Sequence, residues 1–341
     1  LSKDTLITLR SLFGSLEVVS SVSLRPEPCY WVAEFEGVDE RMKRLTEAVR
    51  HLPRPFILYV SKREDVGLWL DHLREIGIRR AAGMHGGTTA TARERVIANW
   101  IANEIDVVVA TSAFGLGMDK ADVRAVVHAC VPETVDRFYQ EVGRGGRDGK
   151  ACLSLMLTSK GKYGTGDDLA VARSLNNKRL IGKDLGLKHW QAMYTKAEDA
   201  GEDRWLLDLN RIPSHLPQES DANVAWNMRT LILLARSGLI SIEAAPPPQL
   251  ERGEDETEEA FEQRCSQEVS RYATSCVIRI MGEPPSEQSW TRQVEPIRTK
   301  TREADEKALD LMETVLEQSQ EMSQILQQVY ETDGAAVLPM C

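Results

Sequence analysis

The sequence predicts an α/β fold in its first half, a parallel sheet with helices on both faces, followed by a mainly α region. Three observations carry this. Short runs rich in β-branched and apolar residues (Pro55–Val60, Ile105–Thr111 and Ala125–Val131) lack polar alternation, as strands buried on both faces do. Amphipathic helical stretches lie between them, giving the strand–helix–strand rhythm of a parallel sheet. Polar or glycine-bearing turns follow several of these runs, and ligands of such sheets bind beyond the carboxyl ends of strands.

Composition bounds the rest. A chain of 341 residues allows one to three domains. Its net charge of −10 is uneven: residues 1–250 hold 33 Lys+Arg against 32 Asp+Glu, and residues 251–341 hold 9 against 20. The first part is nearly neutral, which leaves room for the local basic stripe that a phosphate backbone needs. Six cysteines without a C-x-x-C pair argue against a zinc site and fit buried thiols of a reducing, cytoplasmic compartment. No apolar run reaches membrane-spanning length, and no basic-then-apolar signal peptide opens the chain. A first residue of Leu1 is expected of an excised piece.

Taken in order, Thr5 to Phe13 reads as a short helix ending at Gly14, and Ser15 to Val22 alternates weakly towards Leu24-Arg25-Pro26-Glu27-Pro28. Asp39 to His51 is helical, with Met42, Leu45 and Val49 on one face. The strand Pro55–Val60 leads into Ser61-Lys62-Arg63, the start of a helix to about Ile76, with Ser61 expected as its N-cap. Arg79 to Gly87 repeats strand and loop, ending in His85-Gly86-Gly87, and Thr91 to Ile101 is a helix facing the sheet with Val96, Ile97 and Trp100. After the strand Ile105–Thr111 comes the turn Ser112–Lys120, whose Gly115 and Gly117 permit close backbone approach to a ligand. The strand Ala125–Val131 stops at Pro132, and a helical segment then carries Gln140, Gly143, Arg144, Gly146 and Arg147. Two arginines, each preceded by a glycine, suit a phosphate: the guanidinium is a planar fork of donors, and glycine lets it approach.

Past Leu157 the signals are weaker. Lys160 to Lys196 carries eight Lys/Arg, with Trp190 and Tyr194 interleaved, as a DNA-backbone surface or a solvated helix face would. Val224 to Arg236 is an amphipathic helix with Trp226, Leu231 and Leu234 buried. Leu239–Ile242 and Cys276–Ile280 read as hairpin partners. Helix, turn, strand, loop, strand ends a winged helix, and other small α+β modules share the pattern. Between the strands, Pro246-Pro247-Pro248 and Glu251–Glu262, with seven acidic residues and one Arg, read as an extended solvated loop. Thr299 to Tyr330 reads as one long helix with the stripe Leu309, Met312, Leu316, Met322, Ile325, Leu326 and Val329, either a coiled coil or a docking helix.

Ala110–Lys120 with Asp122-Val123-Arg124 resembles motif V of RecQ-like superfamily 2 DNA helicases, and Gln140–Gly149 resembles their motif VI. The likeness extends from about Pro53 to about Leu157. DEAD-box RNA helicases would show an Ala-Arg-Gly-x-Asp turn and a His-Arg pair, where this chain has Ala113-Phe114-Gly115 and Gln140-Glu141. The resemblance implies a RecA-like lobe, the second of two in an ATP-dependent, 3′-to-5′ DNA helicase. It implies that Arg144 and Arg147 reach the γ-phosphate of ATP, that Gln140 orients them, and that Gly117, Asp119 and Gly143 lie at the nucleotide. It also implies that Ser61, Lys62, His85, Gly86, Thr111 and Lys120 line the DNA. ATP and Mg²⁺ would be held mainly by a first lobe, since the sequence has no G-x-x-x-x-G-K-[ST] loop and no Asp-Glu-x-His box. The four-cysteine zinc module expected after a RecQ motor is a point of departure.

The expected division is 1–23 as the end of a first lobe and linker, 24–157 as the second motor lobe, 158–300 as an accessory region, and 301–341 as helix and tail. Expected partners are DNA, an N-terminal motor lobe and a protein on the C-terminal helix, with no membrane and a cytoplasmic location. The rival readings are a translocase that remodels without unwinding and a non-catalytic DNA-binding adaptor.

Overall fold

A computed structural model describes residue 6 and residues 24–112, 114, 119–161, 166–177, 180–214, 221–243, 247–248, 250–253 and 256–330. The expected helix at Thr5–Phe13 and the alternation at Ser15–Val22 therefore lie outside the described residues, apart from Leu6. Two compact units emerge, residues 1–176 with 305–341, and residues 177–304.

The first unit is built on a six-stranded, all-parallel sheet in the order β1-β6-β5-β2-β4-β3. Its strands are β1 (Pro28–Glu36), β2 (Phe56–Tyr59), β3 (Ala81–Met84), β4 (Val107–Ala110), β5 (Ala125–His128) and β6 (Cys152–Lys160). Helices α1 (Val38–His51), α2 (Arg63–Glu75), α3 (Ala90–Ile101) and α4 (Val135–Val142) connect them, and α5 (Asp168–Asn177) follows β6.

Alternate residues of the central strands serve opposite faces. Phe56, Leu58, Val107, Val109, Ala125 and Val127 pack with Leu45 and Val49 of α1 and Val66, Trp69 and Leu73 of α2. Ile57, Tyr59, Val108, Ala110 and Val126 pack with Trp100 of α3, Phe114 and Val123. With both faces covered, no polar alternation survives in β2, β4 or β5, and all of their residues are buried.

Several expectations need correction. Ser61 is not the N-cap of α2; that position is Lys62, whose backbone N–H donates to Asp65 Oδ2 (3.2 Å). β1 was not foreseen. It pairs with β6 along nine residues from Pro28↔Cys152 to Glu36↔Lys160, which extends the lobe beyond the expected limit at Leu157. Among the cysteines, Cys29 is exposed and Cys265 half-buried, whereas Cys130, Cys152 and Cys276 are buried. Thr299–Tyr330 is not one helix: α9 (Glu295–Glu317) ends at Gln318, which has a φ of 52°, and α10 (Met322–Tyr330) follows.

The apolar stripe of that pair is spent on the lobe itself. Leu309, Met312, Val315 and Leu316 of α9 and Ile325 and Leu326 of α10 share a core with Leu24, Val135, Phe138, Val142, Met156 and Ala172. The face expected to dock a protein partner is thus already covered by the chain's own residues.

In the second unit, α6 (Lys183–Tyr194) precedes β7 (Glu198–Asp199) and β8 (Arg204–Asp208). After these come α7 (Asp221–Arg236), β9 (Ile240–Glu243), α8 (Glu258–Ala273) and β10 (Ser275–Ile280). Glu287–Ser289 and the π-helical turn Trp290–Val294 lead into α9, inside which the division between units falls. The sheet order β7-β8-β10-β9 is antiparallel, and β9 pairs with β10 from Ile240↔Ile280 to Glu243↔Val277, as expected of the hairpin. The last strand, β10, thus lies between β8 and β9, and α8 intervenes in the chain between β9 and β10. Trp190 is 2% exposed and stacks on Tyr194 (4.7 Å), so this pair belongs to the core and not to a DNA surface. The acidic run is only partly a loop: Thr257 caps α8, whose first turn holds Glu258 and Glu259.

If the α9 stripe is core, Leu309→Ala should destabilise the lobe by about 2–5 kcal/mol. Thermal or urea unfolding checks this, and a negligible change would show the helix to be a separate element.

Candidate functional site

The arginine-bearing loop is held by close packing. Thr134 caps α4 by accepting the Arg137 N–H (3.0 Å), and α4 ends at Gly143. A Cβ added at Gly145 would lie 2.0 Å from Cys152 Sγ, and one at Gly146 (φ +62°) would lie 2.5 Å from the Lys150 carbonyl. Only glycine lets the loop sit flush on β6. Gly146 N–H donates to the Val123 carbonyl (2.9 Å) and Asp148 N–H to that of Ala121 (3.1 Å), tying this loop to the segment after Lys120. Arg124 Nη2 lies 2.6 Å from Asp148 Oδ1, and this bond holds the Asp148 carboxyl below the usual aspartate range.

Arg147 Nε donates to the Gly143 carbonyl (3.2 Å) and Nη1 to Asp119 Oδ1 (2.8 Å). The structure thus brings Gly143, Asp119 and Arg147 together at the surface, where the Asp119 side chain is 82% exposed. Arg144 is half-buried, and its Nε has no hydrogen-bond partner although it is buried. Its guanidinium lies by the hydroxyl of Tyr59, which donates to the Phe114 carbonyl (3.2 Å). Burial, and then the Glu141 carboxylate, push the Tyr59 phenol far up against the opposing pull of Arg144, so it remains a donor. An arginine in a surface ion pair with a highly exposed carboxylate suits a polyanion, because a phosphate can compete with Asp119 for Arg147. Gln140 is placed elsewhere, since Nε2 donates to Asp136 Oδ2 (2.7 Å), whose other oxygen accepts from Tyr330. Its expected role in orienting the arginines is not what this geometry displays. Gly117 lies outside the described residues.

The family model described as the helicase conserved C-terminal domain matches residues 40–149. The probable DNA helicase RecS of Bacillus subtilis is 33% identical over 48% of this chain and 33% of its own length. The Bacillus subtilis helicase RecQ is 38% identical over 38% of this chain and 21% of its own, and Caenorhabditis elegans wrn-1 is 42% identical over 30% and 10%. The lobe is a RecQ-like helicase C-terminal domain. Its match spans a third or less of these relatives' lengths.

In this RecQ-like lobe the strand ends form a second surface. Lys62 and Arg63 are exposed where α2 begins. His85 N–H donates to Thr88 Oγ1 (3.0 Å) and its Nδ1 accepts from Gly87 N–H (3.1 Å), closing the His85–Gly87 loop on itself. A Cβ at Gly86 would come within 3.2 Å of the Arg63 guanidinium, so Arg63 lies over that loop beside Lys62 and His85, with Lys62 Nζ 3.8 Å from Glu64 Oε1. Ser61 lines a small cleft with Ser112, Cys130, Glu133 and Arg137.

Two residues expected on that surface are committed inside. Thr111 is 8% exposed and gives its N–H to the Met84 carbonyl. The Lys120 side chain is 5% exposed, with Nζ 2.6 Å from Asn103 Oδ1 and 3.0 Å from Asp122 Oδ1, and it lies over the Trp100 ring. It pins the turn and does not present a charge to solvent. Residues that the sequence did not single out are Arg25, Tyr59 and the buried pair His128–Glu141 (2.9 Å). The apolar pattern hid the last three, since it reads as strand and helix core. Among the described residues no group of His, Cys, Asp or Glu is arranged to hold a metal, and no helix is long and apolar enough to cross a membrane.

Lys120→Ala is expected to destabilise the lobe by roughly 1–3 kcal/mol and leave the salt dependence of DNA binding unchanged, whereas Lys62→Ala should lower the log–log salt slope by about 1. Unfolding curves and salt titrations separate the two. A depressed carboxyl stabilises the fold above its unfolded pKa and loses that contribution as pH falls through the folded value. The Asp148–Arg124 bond should therefore act at neutral pH and fade below the ordinary aspartate value of about 3.9. Stability profiles of wild type and Asp148→Asn should differ at pH 7 and converge in acid.

Proposed function

We propose that this chain supplies the second motor lobe of an ATP-dependent RecQ-like DNA helicase of 3′-to-5′ polarity. The carrying observation is the loop that sets Arg144 at the end of β2 beside Tyr59 and presents Arg147 to the exposed Asp119 carboxylate. ATP fits that pattern as the substrate: its terminal phosphates would take Arg147 from Asp119 and draw on Arg144 beside it. Gly143 and Asp119 sit at the same point. Mg²⁺ and most of the nucleotide would be held by a first lobe, which is the partner this face requires.

DNA is proposed to run along the strand ends, over Lys62, His85, Gly86 and the mouth of the Ser61 cleft, with Arg63 added to that set. The arginine loop and this edge meet at one strand end, because Tyr59 ends β2 at Arg144 and Ser61 and Lys62 follow it in the turn into α2. A nucleotide that changes how Arg144 and Arg147 are held therefore acts on an element that also carries the DNA edge. Opening and closing on ATP would favour one DNA position over another by differential binding.

An arginine that stabilises the phosphoryl-transfer transition state is worth roughly 10³–10⁵ in turnover. In the protein joined to its nucleotide-holding lobe, Arg147→Ala should cut DNA-stimulated ATPase by that order and leave DNA affinity near normal. Retained turnover would overturn the assignment. The 341-residue chain alone should bind single-stranded DNA with affinity that falls steeply with salt and release no phosphate. Hydrolysis by the isolated chain would contradict a nucleotide site shared with a second lobe.

A further inference from the structure

We propose that Arg25 is a positioning residue for the arginine loop. The inference rests on the reading of Arg144 and Arg147 as phosphate-facing groups. Arg25 precedes β1 by three residues, and its fork spans the loop: Nη1 donates to the Gly143 carbonyl (2.7 Å) and Nη2 to the Gly146 carbonyl (2.9 Å). These two carbonyls bracket Arg144, and the second is the peptide oxygen immediately before Arg147. The Gly143 carbonyl also accepts from Arg147 Nε (3.2 Å), so Arg25 and Arg147 share one acceptor.

The guanidinium is itself fixed on its remaining sides. Nε donates to Glu27 Oε2 (3.1 Å), and the Arg25 N–H donates to the Tyr139 hydroxyl on α4 (3.1 Å). Glu27 is held in turn, because its carbonyl accepts the Cys152 N–H (2.8 Å) and its Cβ would meet a side chain at Gly146 within 2.9 Å. A glycine-rich loop has little to hold its shape by itself, since glycine leaves the backbone free. Here one planar fork satisfies two carbonyls at a fixed separation, which a lysine, with its single charge on a flexible stem, does not reproduce. Arg25 lies 118 and 121 residues from the groups it holds, on the segment that enters the lobe. Any pull on that segment is therefore delivered to the backbone that aims Arg144 and Arg147.

The test compares Arg25→Ala and Arg25→Lys in the protein that carries its nucleotide-holding lobe, beside wild type and Arg147→Ala. Misplacing catalytic groups by about an ångström costs on the order of 10²-fold. Both Arg25 variants should lose kcat by about that factor while KM for ATP and affinity for single-stranded DNA change little. Binding of ADP with aluminium fluoride should weaken in parallel. Millimolar guanidinium should restore part of the Arg25→Ala rate, and ammonium should not. Unchanged kcat in either variant, or full activity of Arg25→Lys, would overturn the proposal. So would a lowered melting temperature in both variants with kcat per folded molecule intact, which is what a purely structural pin predicts. If wild type has no DNA-stimulated ATPase, or Arg147→Ala retains it, the underlying functional reading fails instead.

Discussion

Gly145 lies so close over Cys152 that no side chain fits between them, and the candidate site depends on that contact. It brings the loop after α4 down onto β6, where Gly146 reaches the Val123 carbonyl and Arg124 reaches Asp148. With the loop flush, Arg147 meets Asp119 and Arg144 meets the end of β2. A larger residue would lift the loop and separate all of these groups together. The glycines of the Gly-Arg-Gly-Gly-Arg run are thus packing residues as much as flexible ones.

Much of the lobe was legible in the sequence because a parallel sheet covered on both faces leaves unbroken apolar runs, and β2, β4 and β5 are such runs. β1 was hidden for the converse reason. It is an edge strand with Trp31 65% exposed and Glu34 and Glu36 interspersed, and it begins on Pro28, two residues after Pro26. The spacing of Gly143, Arg144, Gly146 and Arg147 was readable because it is local. Lys120 was misjudged because the groups that bury it, Trp100 and Asn103, come from another element, and a lysine in a turn looks solvated. Arg25 was legible only as part of a linker, since the carbonyls it holds are more than a hundred residues away.

The uneven charge resolves along the same lines. The acidic residues of 251–341 are concentrated around α8 and on the outer face of α9, while Lys62, Arg63 and His85 belong to the sheet's strand ends. The C-terminal helices, read from sequence as an interaction element, instead complete the lobe core. The acidic face of α9 is the solvated side of an internal packing interaction.

In the proposed reading, the lobe joined to a nucleotide-holding lobe couples ATP hydrolysis to strand separation. The direct measurement is single-turnover separation of a fluorescent duplex by the protein with its nucleotide-holding lobe, offered 3′-tailed, 5′-tailed and blunt ends. ATP-dependent separation of the 3′-tailed duplex is expected, with none of the others and none with a non-hydrolysable ATP analogue. DNA-stimulated hydrolysis without separation of any duplex would contradict it and leave a translocase.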